Sequence, residues 1–183
     1  VILRDTREQD TPRARARYAS FGVPCDRATL SYGDYTYNAQ LPDGSWVCDT
    51  AQTISPACFV ERKMNLDELA QCFTRGRERF QKEFERAQAN KAKGFLLIEN
   101  ASWENLIAGR YRSKFNPKAF LASAAAWAVR YDLNLIFCKE ETSGKLIKEL
   151  LYRDFKERLE RGIYDQGNNR GAGEGRNNTA LGV

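Results

Sequence analysis

The stretch Phe59-Val60-Glu61-Arg62-Lys63, followed by Asp67, decides how the rest of the chain reads. A short apolar run ends in an acid and a base two residues apart. On a β-strand, positions i and i+2 share a face. Glu61 and Lys63 therefore project together, while Val60 and Arg62 face the other way. A helical pattern follows at once, with Leu66, Leu69, Ala70 and Phe73, so the charges stand at the end of a buried strand, where sites are built. On a solvated surface such a triplet is ordinary. At a strand end, a carboxylate beside an ammonium is a seat for a divalent cation and a water that it activates. The second carboxylate this chemistry needs lies upstream, in Gly33-Asp34-Tyr35. Asp34, Glu61 and Lys63 are the expected core of a metal-dependent nuclease site.

Composition narrows the alternatives. With 183 residues, 42% of them hydrophobic, the chain is long and apolar enough for one domain with a substantial core. It contains no histidine, which excludes Ser-His-Asp and Cys-His catalysis and nucleases built on a histidine base. The five cysteines are odd in number and form no CxxC pair. They read as reduced thiols, mostly core fillers, and not as a zinc site. A net charge of +5 and a pI near 9.0 favour an acidic partner such as nucleic acid. No apolar run approaches the roughly 18 residues of a membrane helix, and no charged-then-apolar leader opens the chain. The expected location is intracellular: cytoplasmic, or in a nucleoid or nucleus, without a membrane partner.

Upstream of the central stretch, Val1-Ile2-Leu3 reads as a strand running into the charged segment Asp5-Thr6-Arg7-Glu8. Thr11 and Pro12 open a helix to Phe21, whose Arg13, Arg15 and Arg17 read as a solvated face. Asp26–Leu30 and Tyr35–Tyr37 read as strands. Pro42-Asp43-Gly44 marks a hairpin between Tyr37–Leu41 and Trp46–Cys48.

Downstream, Asn65 caps a helix over Leu66–Phe73, and a second helix runs from Arg77 to about Lys91. Gly94–Glu99 is a strand buried on both faces. A short helix at Trp103–Ala108 leads to the basic loop Arg110-Tyr111-Arg112-Ser113-Lys114. A helix over Lys118–Tyr131 and a buried strand over Leu133–Cys138 follow. The last helix, capped by Thr142 or Ser143, runs to about Arg161. Residues 162–183 are rich in Gly, Asn and Arg and read as a tail or linker after a domain spanning 1–161. Strands alternating with helices imply an α/β domain with a central mixed β-sheet flanked by helices. Arg7, the arginines around Gly76 (Arg75, Arg77 and Arg79), and Arg110, Arg112 and Lys114 are candidate phosphate contacts.

Asp5-Thr6-Arg7-Glu8, Gly33-Asp34-Tyr35, Glu61-Arg62-Lys63 with Asp67, and Phe95-Leu96-Leu97-Ile98-Glu99 occur in one order. Together they closely resemble the nuclease domain of the XPF family, a branch of the restriction-endonuclease-like PD-(D/E)XK superfamily. The resemblance spans Ile2 to Leu151. It implies a restriction-endonuclease-like fold, with the Pro42-Asp43-Gly44 hairpin as an insertion before the ERK strand. It also implies an endonuclease cutting DNA near branches, flaps and junctions. By that resemblance Asp34 and Glu61 bind Mg²⁺ or Mn²⁺ with the carbonyl of Arg62, and Lys63 orients or deprotonates the attacking water. Asp5 and Glu8 line the site, and Asp67 holds Lys63 or Arg62 in place. Pairing with a second copy or a partner subunit would use Lys118–Tyr131 and Ser143–Leu159. The other reading is a non-catalytic module of the same fold that binds branched DNA or pairs with an active partner.

Overall fold

The computed structural model describes residues 1–165. Among them, six strands form one sheet in the order β2-β1-β3-β4-β5-β6. The strands are β1 (Ile2–Asp5), β2 (Cys25–Ala28), β3 (Tyr35–Tyr37), β4 (Cys58–Lys63), β5 (Lys93–Glu99) and β6 (Leu133–Cys138). β3 runs antiparallel to both β1 and β4, and the other pairs are parallel, so the sheet is mixed as expected. The parallel pairs need helical crossovers. These are α1 (Pro12–Ser20) after β1, α2 (Leu66–Phe73) and α3 (Arg77–Ala89) after β4, and α4 (Trp103–Ile107) and α5 (Pro117–Arg130) after β5. The last helix is α6 (Glu140–Glu160).

The period of two in β4 and β5 sorts the core into two layers. Phe59, Leu96 and Ile98 pack with α2, α3 and α5 around Phe73, Phe84, Phe120 and Trp127. Val60, Phe95 and Leu97 pack on the other face with Ile147 and Leu151 of α6. The helix starts are those the sequence signals. Thr11 accepts from Ala14 N at 3.1 Å, and Asn65 accepts from Glu68 N at 3.0 Å.

Six expectations need correction. Arg17 is buried, whereas Arg13 and Arg15 are on the solvated face. α6 starts before Thr142 and Ser143, and Ser143 Oγ instead donates to the carbonyl of Glu140. β6 is the sheet edge and only half-buried over most of its length. Of the cysteines only Cys58 is buried, although all five are free thiols. The expected hairpin contracts to one antiparallel bridge between Gln40 and Trp46, at the end of β3 remote from Gly33. The folded unit passes Arg161, because the Tyr164 hydroxyl lies 2.7 Å from that of Tyr37. Residues 166–183 of the Gly/Asn-rich segment lie outside the described residues. No helix among the described residues is long and apolar enough to cross a membrane.

Candidate active site

One end of the sheet gathers the chemistry. β3 is antiparallel to its neighbours, so the residue before it meets the last residues of β1 and β4. Gly33 makes the turn possible, with a positive φ of 76° and its α-carbon against the Phe59 ring. Asp34 is then locked by its backbone: its N–H donates to Val60 O at 2.9 Å, and its carbonyl accepts from Asp5 N at 2.8 Å. Its Oδ2 accepts from Arg62 N at 2.7 Å.

Glu61 and Lys63 project to the same face, as the strand period demands, and both are buried. Lys63 Nζ donates to Glu61 Oε1 and lies over the Phe80 ring. Among the described residues, Glu61 Oε2 is buried without a partner. Such an atom carries the full desolvation cost of an unmade hydrogen bond. Burial, and then the Glu61 carboxylate, push the Asp34 carboxyl well above the usual carboxylate range. Glu61 is also raised, by burial and by Glu83, against the opposing pull of Lys63. Burial lowers the Lys63 ammonium, but Glu61 and Asp34 outweigh it, and Lys63 is held above its ordinary value.

Arg62 faces the other way and joins a second network. Its Nη1 donates to Glu99 Oε2 at 3.0 Å, and its Nε lies 3.5 Å from Glu8 Oε1. Arg17 Nε donates to Glu99 Oε1 at 3.1 Å, and its Nη1 donates to the Tyr35 hydroxyl at 3.0 Å. Tyr35 passes the chain on, donating to Glu8 Oε1 at 2.9 Å. Glu99 and Arg17 therefore fix Arg62 from below. In the sequence Glu99 marks only the end of the β5 run and Arg17 reads as part of a solvated helix face, because their contacts bridge |i−j| of 37 and 82.

These groups open into a cleft of about 840 Å³. Asp34, Glu61, Lys63, Glu8, Glu68 and Glu83 line it, together with Arg7, Arg13, Arg79 and Arg86. Two of those cations, Arg7 and Arg79, were expected as phosphate contacts. Arg13 and Arg86 were not, because in sequence they look like ordinary solvated helix residues. Arg75, Arg77, Arg110, Arg112 and Lys114 do not line the cleft. Arg77 instead stands over the Trp127 ring.

Two expected site residues have other work. Asp5 is absent from the cleft wall. Its Oδ1 accepts from Arg7 N and Nε, and its Oδ2 accepts from Leu30 N, so it fastens the turn after β1. Asp67 touches neither Lys63 nor Arg62. Its Oδ1 accepts from Arg112 N at 2.8 Å and Ser113 N at 2.7 Å. It is the first turn of α2 pointing away from the cleft, one residue from Glu68, which points into it.

A mixed sheet with flanking helices, two carboxylates and a lysine at one strand end, and cations around the opening define a nuclease-type α/β domain. The chain belongs to the ERCC4 domain family, whose sequence pattern matches residues 4–150. Among solved structures it is similar to XPF from Aeropyrum pernix, with a TM-score of 0.58 and 21% identity over 90% of this chain and 71% of that one. The same archaeal protein in complex with DNA also matches, with a TM-score of 0.58 and 22% identity over 86% of this chain and 66% of that one. At such identity the likeness is one of fold. No curated protein matches the chain in sequence.

Proposed function

We propose that the chain is a metal-dependent DNA endonuclease that hydrolyses phosphodiesters near branches, flaps or junctions. The observation that carries this reading is the orphaned Glu61 Oε2, buried beside Asp34 in a cleft ringed by arginines. Two hard oxygen donors, both with raised proton affinity, suit Mg²⁺ or Mn²⁺ better than a thiolate-seeking ion. Among the described residues no three acidic or sulfur side chains cluster closely enough to bind a metal by themselves. Asp34 and Glu61 would therefore hold the ion, with other oxygens, such as the Arg62 carbonyl and the substrate phosphate, completing its shell. When bound, such an ion polarises a phosphoryl oxygen and lowers the pKa of a water.

The protein's own groups then do the following. Lys63, whose ammonium Glu61 and Asp34 hold above its ordinary value, orients the nucleophile and offsets phosphate charge. Arg62, held by Glu8 and Glu99, keeps its backbone N–H on Asp34 Oδ2 and so fixes that carboxylate. The cations of the rim track the DNA backbone. The archaeal relative solved with DNA supports DNA as the partner. Pairing with a second copy through α5 and α6 belongs to the same reading; Val129 and Tyr152 are exposed apolar side chains on those helices.

The test is incubation with flap and splayed-arm DNA in Mn²⁺ and in EDTA. Cleavage only with the ion is expected. Binding without cleavage in either would instead make the chain a non-catalytic module of this fold.

A further inference from the structure

The basic loop 109–115 lies outside the cleft, yet it is not a loose surface segment. Gly109 turns with a φ of 67° against Pro117. Arg110 N donates to Asn105 O at 2.8 Å. Tyr111 and Phe115 point inward, with ring centroids 5.3 and 5.2 Å from the buried Phe120 ring, and the Tyr111 hydroxyl donates to Phe115 O at 2.8 Å. The alternating residues Arg110, Arg112 and Lys114 are exposed. Arg110 and Lys114 make no ion pair among the described residues, and the Arg112 side chain is 89% exposed although it reaches Asp67 at 3.4 Å. Three outward cations on a backbone held by inward aromatics form a charged surface with fixed spacing.

Asp67 supplies the register. It accepts the N–H groups of Arg112 and Ser113 together, and its neighbour Glu68 lines the cleft while accepting from Met64 N at 2.6 Å. The first turn of α2 thus touches the loop on one side and the candidate active site on the other. We propose that loop 109–115 is a second phosphate-binding arm for duplex DNA beside the cleft, and that Asp67 is a positioning residue that sets it. The proposal rests on the endonuclease reading for its partner and adds where a duplex arm lies.

The sign of one substitution separates this from plain electrostatics. Removing an acid from a basic surface strengthens DNA binding if charge alone matters. If Asp67 holds the arm in register, Asp67→Ala weakens binding despite the more positive charge. Fluorescence anisotropy of the full chain with splayed-arm DNA in EDTA, across a KCl series, reads this without cleavage. Asp67→Ala is expected to raise Kd on the order of 10-fold and to flatten the log Kd against log[salt] slope by about 2, since each lost B-DNA phosphate contact removes about 0.9. Asp67→Asn keeps an oxygen for the two N–H groups and is expected to bind like wild type. Arg112→Ala with Lys114→Ala leaves the Asp67 bonds to the backbone intact and is expected to flatten the slope equally. This pair carries the test should Asp67→Ala fail to fold by circular dichroism. Tighter binding by Asp67→Ala, equal behaviour of the Ala and Asn variants, or an unchanged slope in the double variant overturns the proposal. DNA binding in EDTA without Mn²⁺-dependent cleavage defeats the endonuclease reading alone and leaves the arm standing.

Discussion

Lys63 is surrounded by reasons to remain charged: Glu61 is bonded to it, Asp34 is near, and the Phe80 ring lies beneath it. A fixed cation in a water-poor site acts mainly on the charge that develops in the transition state. Lys63→Met keeps the packing and removes the charge. It is expected to lower kcat by about 10²–10³ while leaving Kd for DNA in EDTA nearly unchanged. Lys63→Arg should retain more activity than Lys63→Met, because Arg cannot act as a base but keeps the charge. Equal loss in both would point to a proton-accepting lysine. Asp34 makes the opposite case. Its carboxyl is raised by burial and by Glu61, so its charge opposes folding. Asp34→Asn keeps an oxygen for Arg62 N and is expected to abolish cleavage while raising Tm in EDTA by about 2–4 °C, the shift that ~1 kcal/mol gives a chain of this size. The trio was legible in the sequence because a strand period and an ordered set of short motifs mark it. Arg17 and Glu83 were not legible, and Glu99 was legible only as the end of the β5 run, since no local pattern says which distant charges the sheet will bring together. Asp67 misled for the same reason: its spacing from Lys63 is fixed by the chain, but its partner is chosen by a loop 45 residues away.

Elements were easier to read than their edges. Caps gave α1 and α2 their first residues because an oxygen satisfying an orphan N–H is a local event. The start of α6 was missed because its cap is Lys139, whose side chain makes no capping bond, while Thr142 and Ser143 imitate a cap from inside the helix. β6 reads like a central strand because its apolar run says nothing about which neighbour is missing. The α1–α6 crossing was also hidden. A Cβ on Gly144 would lie 2.7 Å from the carbonyl oxygen of Arg17 and collide with Ser20 Oγ, so the helices touch there through backbone. Gly144→Ala must push α1 outward and strain the Arg17 bonds to Glu99 and Tyr35. Overpacking of this kind costs about 1–3 kcal/mol. Gly144→Ala is therefore expected to lower Tm, by calorimetry, and to lower kcat through Arg62 more than it raises KM. A stable variant with normal kcat would show that the crossing has slack and that Arg17 does not steer Arg62.

At the scale of the whole molecule, the site is a thermodynamic liability that the proposed cation would relieve. Asp34 and Glu61 both hold protons more tightly in the folded state than in the unfolded chain. From the ordinary carboxylate range upward to their raised values, the folded state therefore carries protons that the unfolded state has released. With ν_U below ν_N, stability falls as pH rises through that window. A divalent ion held by these carboxylates, as proposed, would compete with those protons and stabilise the folded state by RT ln(1 + [L]/Kd), about 2.7 kcal/mol at 100 times Kd. Its effect must grow over the same pH range in which the metal-free protein weakens. Calorimetry in EDTA and in Mn²⁺, from about pH 5 to about pH 8, is expected to show Tm curves that diverge with rising pH. Asp34→Asn should flatten the EDTA curve and lose most of the Mn²⁺ shift together, because one carboxylate supplies both. A Mn²⁺ shift that is the same at every pH, or that persists in Asp34→Asn, would place the ion on other groups and leave the raised carboxyls without a role in holding it.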